Sequence, residues 1–225
     1  MPMRERFERK LTELRDDILA MGSMVEDELK LALRALDKLD TELARQVFEA
    51  DTEVNAARFE IEEKCFTLIV TQQPAAGDLR AIVAVMNMIV DLERMGDQAK
   101  GIAKVIPHMM QFANQPQPPE LKQMGDIVGH MLHDTMTAFA QGNTDLAQVV
   151  VNRDDEVDEL YAKIFTKIMA EMAKAGSPDR IEASYEVLRA ARELERFGDL
   201  ATNIAERVIY RVTGHLQETN VDKEI

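Results

Sequence analysis

From Phe7 to Leu36 the apolar residues fall at Phe7, Leu11, Leu14, Ile18, Met21, Val25, Leu29, Ala32 and Leu36. The intervals alternate between three and four, which predicts one long helix buried along a single seam. A second helix is predicted after "KLDTELA", with Leu43, Val47, Ala50, Val54, Ala57, Ile61, Cys65 and Leu68 on its buried stripe; "TQQPAAGD" breaks it. A third is predicted from Asp78, a carboxylate suited to capping, to about Ile106, just before Pro107.

The polar, Pro-rich stretch "HMMQFANQPQPPE" then reads as a linker. Beyond it the same order returns: a helix to about Gln141, one over residues 145 to 175, and one from Pro178 or Asp179 onward. "DTELA" at Asp40 matches "NTDLA" at Asn143, and "DTEVN" at Asp51 matches "DDEVD" at Asp154. In the third helices, Val85, Met88, Leu92, Met95, Ala99, Ile102 and Ile106 have counterparts in Val187, Ala190, Leu194, Phe197, Ala201, Ile204 and Val208. The offset is a constant 102 residues, as Leu92 and Leu194 show. The expectation is an all-α protein of six helices, a tandem duplication of an antiparallel three-helix bundle. Its parts are a first repeat over 1–107, a linker over 108–120, a second repeat over 121–214 and a frayed tail over 215–225.

Composition narrows the function. The apolar set is aliphatic, with 14 Met and no Trp, and the formal charge is −14, from 27 basic against 41 acidic residues. Such a surface argues against nucleic acid and against an anionic membrane. The single cysteine, Cys65, excludes an intrachain disulfide, fits a reducing compartment, and lies on an apolar stripe where a core thiol is expected. The most hydrophobic run, "AIVAVMNMIV", has ten residues, half of the ~20 that a spanning helix needs. With no secretory signal at the start, a cytoplasmic location without membrane insertion is expected.

The candidate chemistry lies in "DLERMGDQAKGIAK" and its near-twin "ELERFGDLATNIAE". Each places a Glu and an Asp four apart, Glu93 with Asp97 and Glu195 with Asp199, and a Gly just before the Asp. These carboxylates continue a second apolar stripe, that of Leu79, Ile82, Met86 and Ile89 in the first copy. Like charges at this spacing repel, and a buried carboxylate without a partner is costly. Gly inside a helix costs a further ~1 kcal/mol relative to Ala. Folding helix two back on helix three brings Asp51 and Asn55 level with the first pair, and Asp154 and Asp158 level with the second. Glu26 on helix one falls at a similar height, with no equivalent in the second copy. Converging carboxylates without His or Cys suit hard cations: iron, Mn²⁺, Mg²⁺ or Ca²⁺, with Zn²⁺ also compatible. The alternative is a metal-free helical adaptor whose carboxylates form salt bridges with Arg94, Arg196 or Lys100.

At these residues the sequence resembles the PhoU family of regulators of bacterial phosphate uptake. The resemblance runs to about Gly214 and includes "MGSMVE", "QQPAAGDLR", "DLERMGDQA", "MLHDTMTAFA" and "ELERFGDLATNIAE". It implies a non-enzymatic protein of two pseudo-symmetric three-helix bundles, often a homodimer, at the cytoplasmic components of the phosphate-specific ABC transporter. It further implies that the protein helps a sensor histidine kinase repress the phosphate-starvation response. Metal ions, sometimes in multinuclear clusters, are implied on Glu93, Asp97, Glu195 and Asp199, with Asp51, Asn55, Asp154 and Asp158 as facing ligands. Asn55 departs from the acidic Asp158, so fewer or weaker ions are expected in the first copy.

Enzymatic readings fare poorly. Di-iron oxidase sites require Glu-x-x-His steps, and no Glu here is followed three residues later by His. His130 and His133 could suggest phosphotransfer, but their first-copy counterparts are Asp27 and Lys30, so both read as flank residues. Gly-rich nucleotide loops are absent from the sequence.

Overall fold

In the computed structural model, which describes residues 3–110 and 117–215, the chain forms helices α1 (Met3–Lys38), α2 (Thr41–Gln72), α3 (Ala76–Met109), α4 (Pro119–Gln141), α5 (Thr144–Lys174) and α6 (Pro178–Thr213). Helices α1 to α3 pack on one another, as do α4 to α6. The two bundles join mainly through α3 against α6, with α1 against α4 beside them. This central seam explains why α3 and α6 are buried on more than one stripe: Ile82, Ile89, Ala103 and Val105 are interior along with the sequence-predicted row. Among the described residues there is no helix long and apolar enough to cross a membrane.

The predicted stripes are the core. In α1, Phe7, Leu14, Ile18, Met21, Val25, Leu29, Ala32 and Leu36 are buried, and so is Cys65 in α2, whose thiol burial pushes up to about 12. Two connections repeat almost atom for atom. The Asp40 carboxylate accepts from the Glu42 and Leu43 amides at the start of α2, and Asn143 Oδ1 accepts from the Leu146 amide at the start of α5. Just before them, Leu39 and Gly142 both adopt left-handed backbone, with φ of 50° and 64°.

Three expected boundaries move. Helix α3 begins at Ala76 after an extended Ala75, without a side-chain cap. Asp78 therefore lies in the first turn, where a carboxylate favours the helix dipole and meets Arg4 Nη1 at 3.2 Å. Pro107 does not end α3; it occupies the last turn, where its missing N–H forfeits a single backbone bond. The linker predicted over 108–120 shortens accordingly, since α4 already starts at Pro119. Its residues 111–116 lie outside the described residues, as do 216–225 of the predicted tail.

Candidate metal centre

The antiparallel packing of α2 on α3 places Asp51 beside the turn of α3 that holds Gly96, Asp97 and Lys100. Lys100 Nζ lies 2.7 Å from Asp51 Oδ2 and 2.7 Å from Asp97 Oδ1, and so bridges the two helices. Asn55, one turn along α2, donates its amide to the same Asp51 Oδ2 at 3.0 Å. Glu93 stands half-buried one turn before Asp97. Burial works against the Lys100 charge, but its hydrogen bonds to Asp51 and Asp97 together raise its pKa.

Helix α1 contributes a group that the sequence reading passed over. Glu28 is 1% exposed, and neither of its oxygens has a hydrogen-bond partner. Burial first, then the Asp51 charge, pushes its carboxyl up to about 9, against the lowering effect of Lys100. Glu28 could have been found: Met21, Val25, Glu28, Ala32 and Ala35 continue the alternating three-four rhythm, and all five are buried. Gly96 makes room for it, because a Cβ there would sit 3.0 Å from Glu28 Oε2 and 3.7 Å from Asp51 Oδ1. Glu26, expected at this height, instead turns to α4: it lies 3.4 Å from Lys30 Nζ and 3.4 Å from Nδ1 of the exposed His133. The reason is angular, since two residues along a helix separate side chains by more than half a turn. His130 is exposed as well.

The second bundle repeats the frame with different chemistry. The residue equivalent to Glu28 is Met131, fully buried, and the residue equivalent to Lys100 is Thr202. Thr202 Oγ1 donates to Asp154 Oδ1 at 3.3 Å, an uncharged donor where the first bundle has an ammonium. Asp158, Glu195 and Asp199 are half-buried around it. Burial, then the Asp199 and Asp158 charges, push the Glu195 carboxyl up to about 7, while Arg192 and Arg196 pull the other way. Asp199 is raised by burial and by Asp158. Glu195 Oε1 accepts from Arg192 at 2.6 Å, but its Oε2 is buried with no partner. Gly198 meets only Val128 and Val157 methyls, at 3.5 Å and beyond.

Among the described residues, no three His, Cys, Asp or Glu side chains are already gathered as a cradle for an ion. Asp51 and Asp97 turn toward Lys100, and Glu195 toward Arg192. As donor sets the two copies differ. In the second, four carboxylates supply the oxygen donors that a hard cation takes, and one has a buried oxygen without a partner. In the first, Asp51 Oδ1 and both Glu28 oxygens are also buried without a partner, but an ammonium already stands between Asp51 and Asp97.

Known proteins match this arrangement along most of the chain. The PhoU domain family matches residues 18–106 and 121–208, which are the two bundles. A phosphate-specific transport system accessory protein PhoU homolog of Pseudomonas putida is 37% identical over 93% of this chain and 82% of its own length. The PhoU of Escherichia coli is 34% identical over 96% of this chain and 91% of its own. A crystal structure of the phosphate transport system regulatory protein PhoU from Streptococcus pneumoniae superposes with a TM-score of 0.87 at 32% identity, covering 94% of this chain and 99% of that one. PhoU from Pseudomonas aeruginosa gives a TM-score of 0.85 at 36% identity, covering 93% and 100%. With both repeats matched in sequence and the whole double bundle matched in space, the chain belongs to the PhoU family.

Proposed function

We propose that this protein regulates phosphate uptake as a non-enzymatic accessory of the phosphate-specific ABC transporter. It works on the cytoplasmic face and helps a sensor histidine kinase repress the phosphate-starvation response when phosphate is plentiful. The observation that carries this reading is the near full-length similarity, through both repeats, to proteins named for accessory work in phosphate-specific transport. Deleting the gene should raise a phosphate-starvation reporter in phosphate-rich medium, and the intact gene should silence it again. A reporter indifferent to the deletion refutes the reading.

In the second repeat, Glu195, Asp199, Asp158 and Asp154 would hold a hard divalent or trivalent cation through oxygen alone. A bound cation would add to the positive charge that Arg192 brings to Glu195 alone. The chain's own residues do the rest: α5 and α6 present the carboxylates from two sides, and Thr202 orients Asp154. The support is the buried Glu195 Oε2 without a partner, beside carboxylates that hold one another's pKa up. Glu195→Ala with Asp199→Ala should lower metal content and thermal stability and weaken repression of the reporter. The metal-free adaptor is the second reading, favoured by the Lys100–Asp97 and Arg192–Glu195 ion pairs. Metal analysis of protein purified without chelator separates the two.

A further inference from the structure

The two repeats share a frame but not a charge balance, and the difference centres on one residue. Lys100 and Thr202 occupy equivalent positions, at the same offset that relates Leu92 to Leu194. In the first repeat the Lys100 ammonium touches a carboxylate on each of two helices, at 2.7 Å and 2.7 Å, which is where a shared cation would have to sit. Its side chain is only 18% exposed. Asn55 fills a further lone pair of Asp51 and brings no charge. Behind them Glu28 closes the cluster from α1, its carboxyl accommodated by the missing Cβ of Gly96. A metal ion entering here must displace two charge-assisted hydrogen bonds and expel an ammonium into water.

The second repeat has no lysine at the equivalent position. Thr202 carries no charge, and Met131 takes the place of Glu28. Arg192 reaches Glu195 from the rim with a side chain 46% exposed, and it meets one carboxylate, whereas Lys100 bridges two. We infer that Lys100 is the resident cation of the first repeat, so that this repeat excludes metal ions and the second alone binds them. Lys100 is thus the residue that sets how many clusters the chain loads. This rests on the metal reading of the second repeat proposed above.

The test is Mn²⁺ bound per chain, measured by equilibrium dialysis of the full-length protein after chelator treatment. Four variants are compared with wild type: Lys100→Thr, Lys100→Arg, Glu195→Ala/Asp199→Ala, and that double variant carrying Lys100→Thr. Wild type is expected to bind Mn²⁺, and the double variant to lose it. Lys100→Thr should bind more than wild type, toward twice as much, and should restore Mn²⁺ to the double variant. Lys100→Arg, which keeps a cation in place, should bind as wild type does. A double variant that retains Mn²⁺ and surrenders it only on Asp51→Asn overturns the inference while leaving metal binding intact. So does a folded Lys100→Thr, judged by helical circular dichroism, that gains no Mn²⁺. Were wild type to bind none and Lys100→Thr to bind, the reading of the second repeat would fall, and with it the claim that the second alone is loaded, while Lys100 as the resident cation of the first would stand.

Discussion

The first repeat bridges two carboxylates with a half-buried lysine of its own α3, whereas the second meets one of its carboxylates with an exposed arginine at the rim. Duplication supplied both with the same scaffold: an acidic residue on the middle helix, a Gly-Asp step on the third and a matching buried row. Within the acidic cluster, divergence changed three positions. Glu28 against Met131, Asn55 against Asp158 and Lys100 against Thr202 change the electrostatics without disturbing the packing of either bundle. The comparison teaches that an internal repeat preserves geometry more faithfully than chemistry, so a motif found twice need not do the same thing twice.

The largest effect expected from breaking this contrast is at Lys100. Lys100→Met keeps the aliphatic stem but leaves Asp51 and Asp97 without their cation, which should cost about 2–3 kcal/mol in metal-free urea denaturation. Its counterpart Thr202→Val removes one hydrogen bond from an uncharged donor to the Asp154 carboxylate and should cost less, about 1.5 kcal/mol. Equal losses at the two positions would erase the distinction drawn here between an ammonium and an uncharged donor.

The glycines give the next contrast. At Gly96 a new Cβ would press on the Glu28 carboxyl, whose neighbour distance would be 3.0 Å. Since Glu28 is enclosed, Gly96→Ala should destabilise by about 1–3 kcal/mol. At Gly198 the nearest atoms are at ordinary contact distance, so Gly198→Ala should stabilise by about 0.5–1 kcal/mol through helix propensity. Thermal melts of the two variants should move in opposite directions.

Much of this was legible in the sequence, and what was not has a physical cause. The six helices, their buried rows and the pairing of Asp51 with the Asp97 turn follow from periodicity and from reflection through a tight connection. Glu28 escapes a row drawn through its neighbour Leu29, although it completes a buried row of its own. Lys100 was noticed only as one of three cations able to neutralise a flank. Which oxygens a flexible lysine reaches depends on the spacing of two helices, and one-dimensional periodicity does not carry that distance. Asp78 and Pro107 were misplaced for a more local reason: helix ends tolerate both a missing cap and a missing N–H when tertiary packing continues.

The acid cluster also predicts a pH profile. The Glu28 carboxyl sits at about 9 in the fold against 4.5 for its ordinary value. The folded state therefore holds a proton there that the unfolded chain has released. Stability contributed by this proton is present below about pH 4.5 and falls steadily as pH rises toward 9. Lys100 titrates above 10.5 and does not interfere in that window. Glu28→Gln, uncharged at every pH, should match wild type near pH 4, become the more stable of the two by neutral pH, and flatten the decline in chemical denaturation followed up to pH 9. Glu195, at about 7, should produce a decline that is complete two units earlier. Glu195→Gln should remove that part alone.

The smallest effect concerns the paired turns before α2 and α5. Both left-handed positions serve the same backbone closure: Asp40 N–H donates to Ala35 O at 3.0 Å, and Asn143 N–H to Ala138 O at 2.9 Å. Gly142 adopts this conformation freely, whereas Leu39 adopts it against the clash of its Cβ with the carbonyl oxygen. Gly142→Ala should therefore cost about 1 kcal/mol, with no packing gain to offset it. Leu39→Gly relieves a strain of similar size but strips a half-buried side chain from the core, two terms of ~1 kcal/mol that oppose each other. Its denaturation midpoint should stay near that of wild type. A marked loss on Leu39→Gly would mean that packing of the Leu39 side chain, not backbone conformation, governs the first turn, and that the repeats have diverged there too.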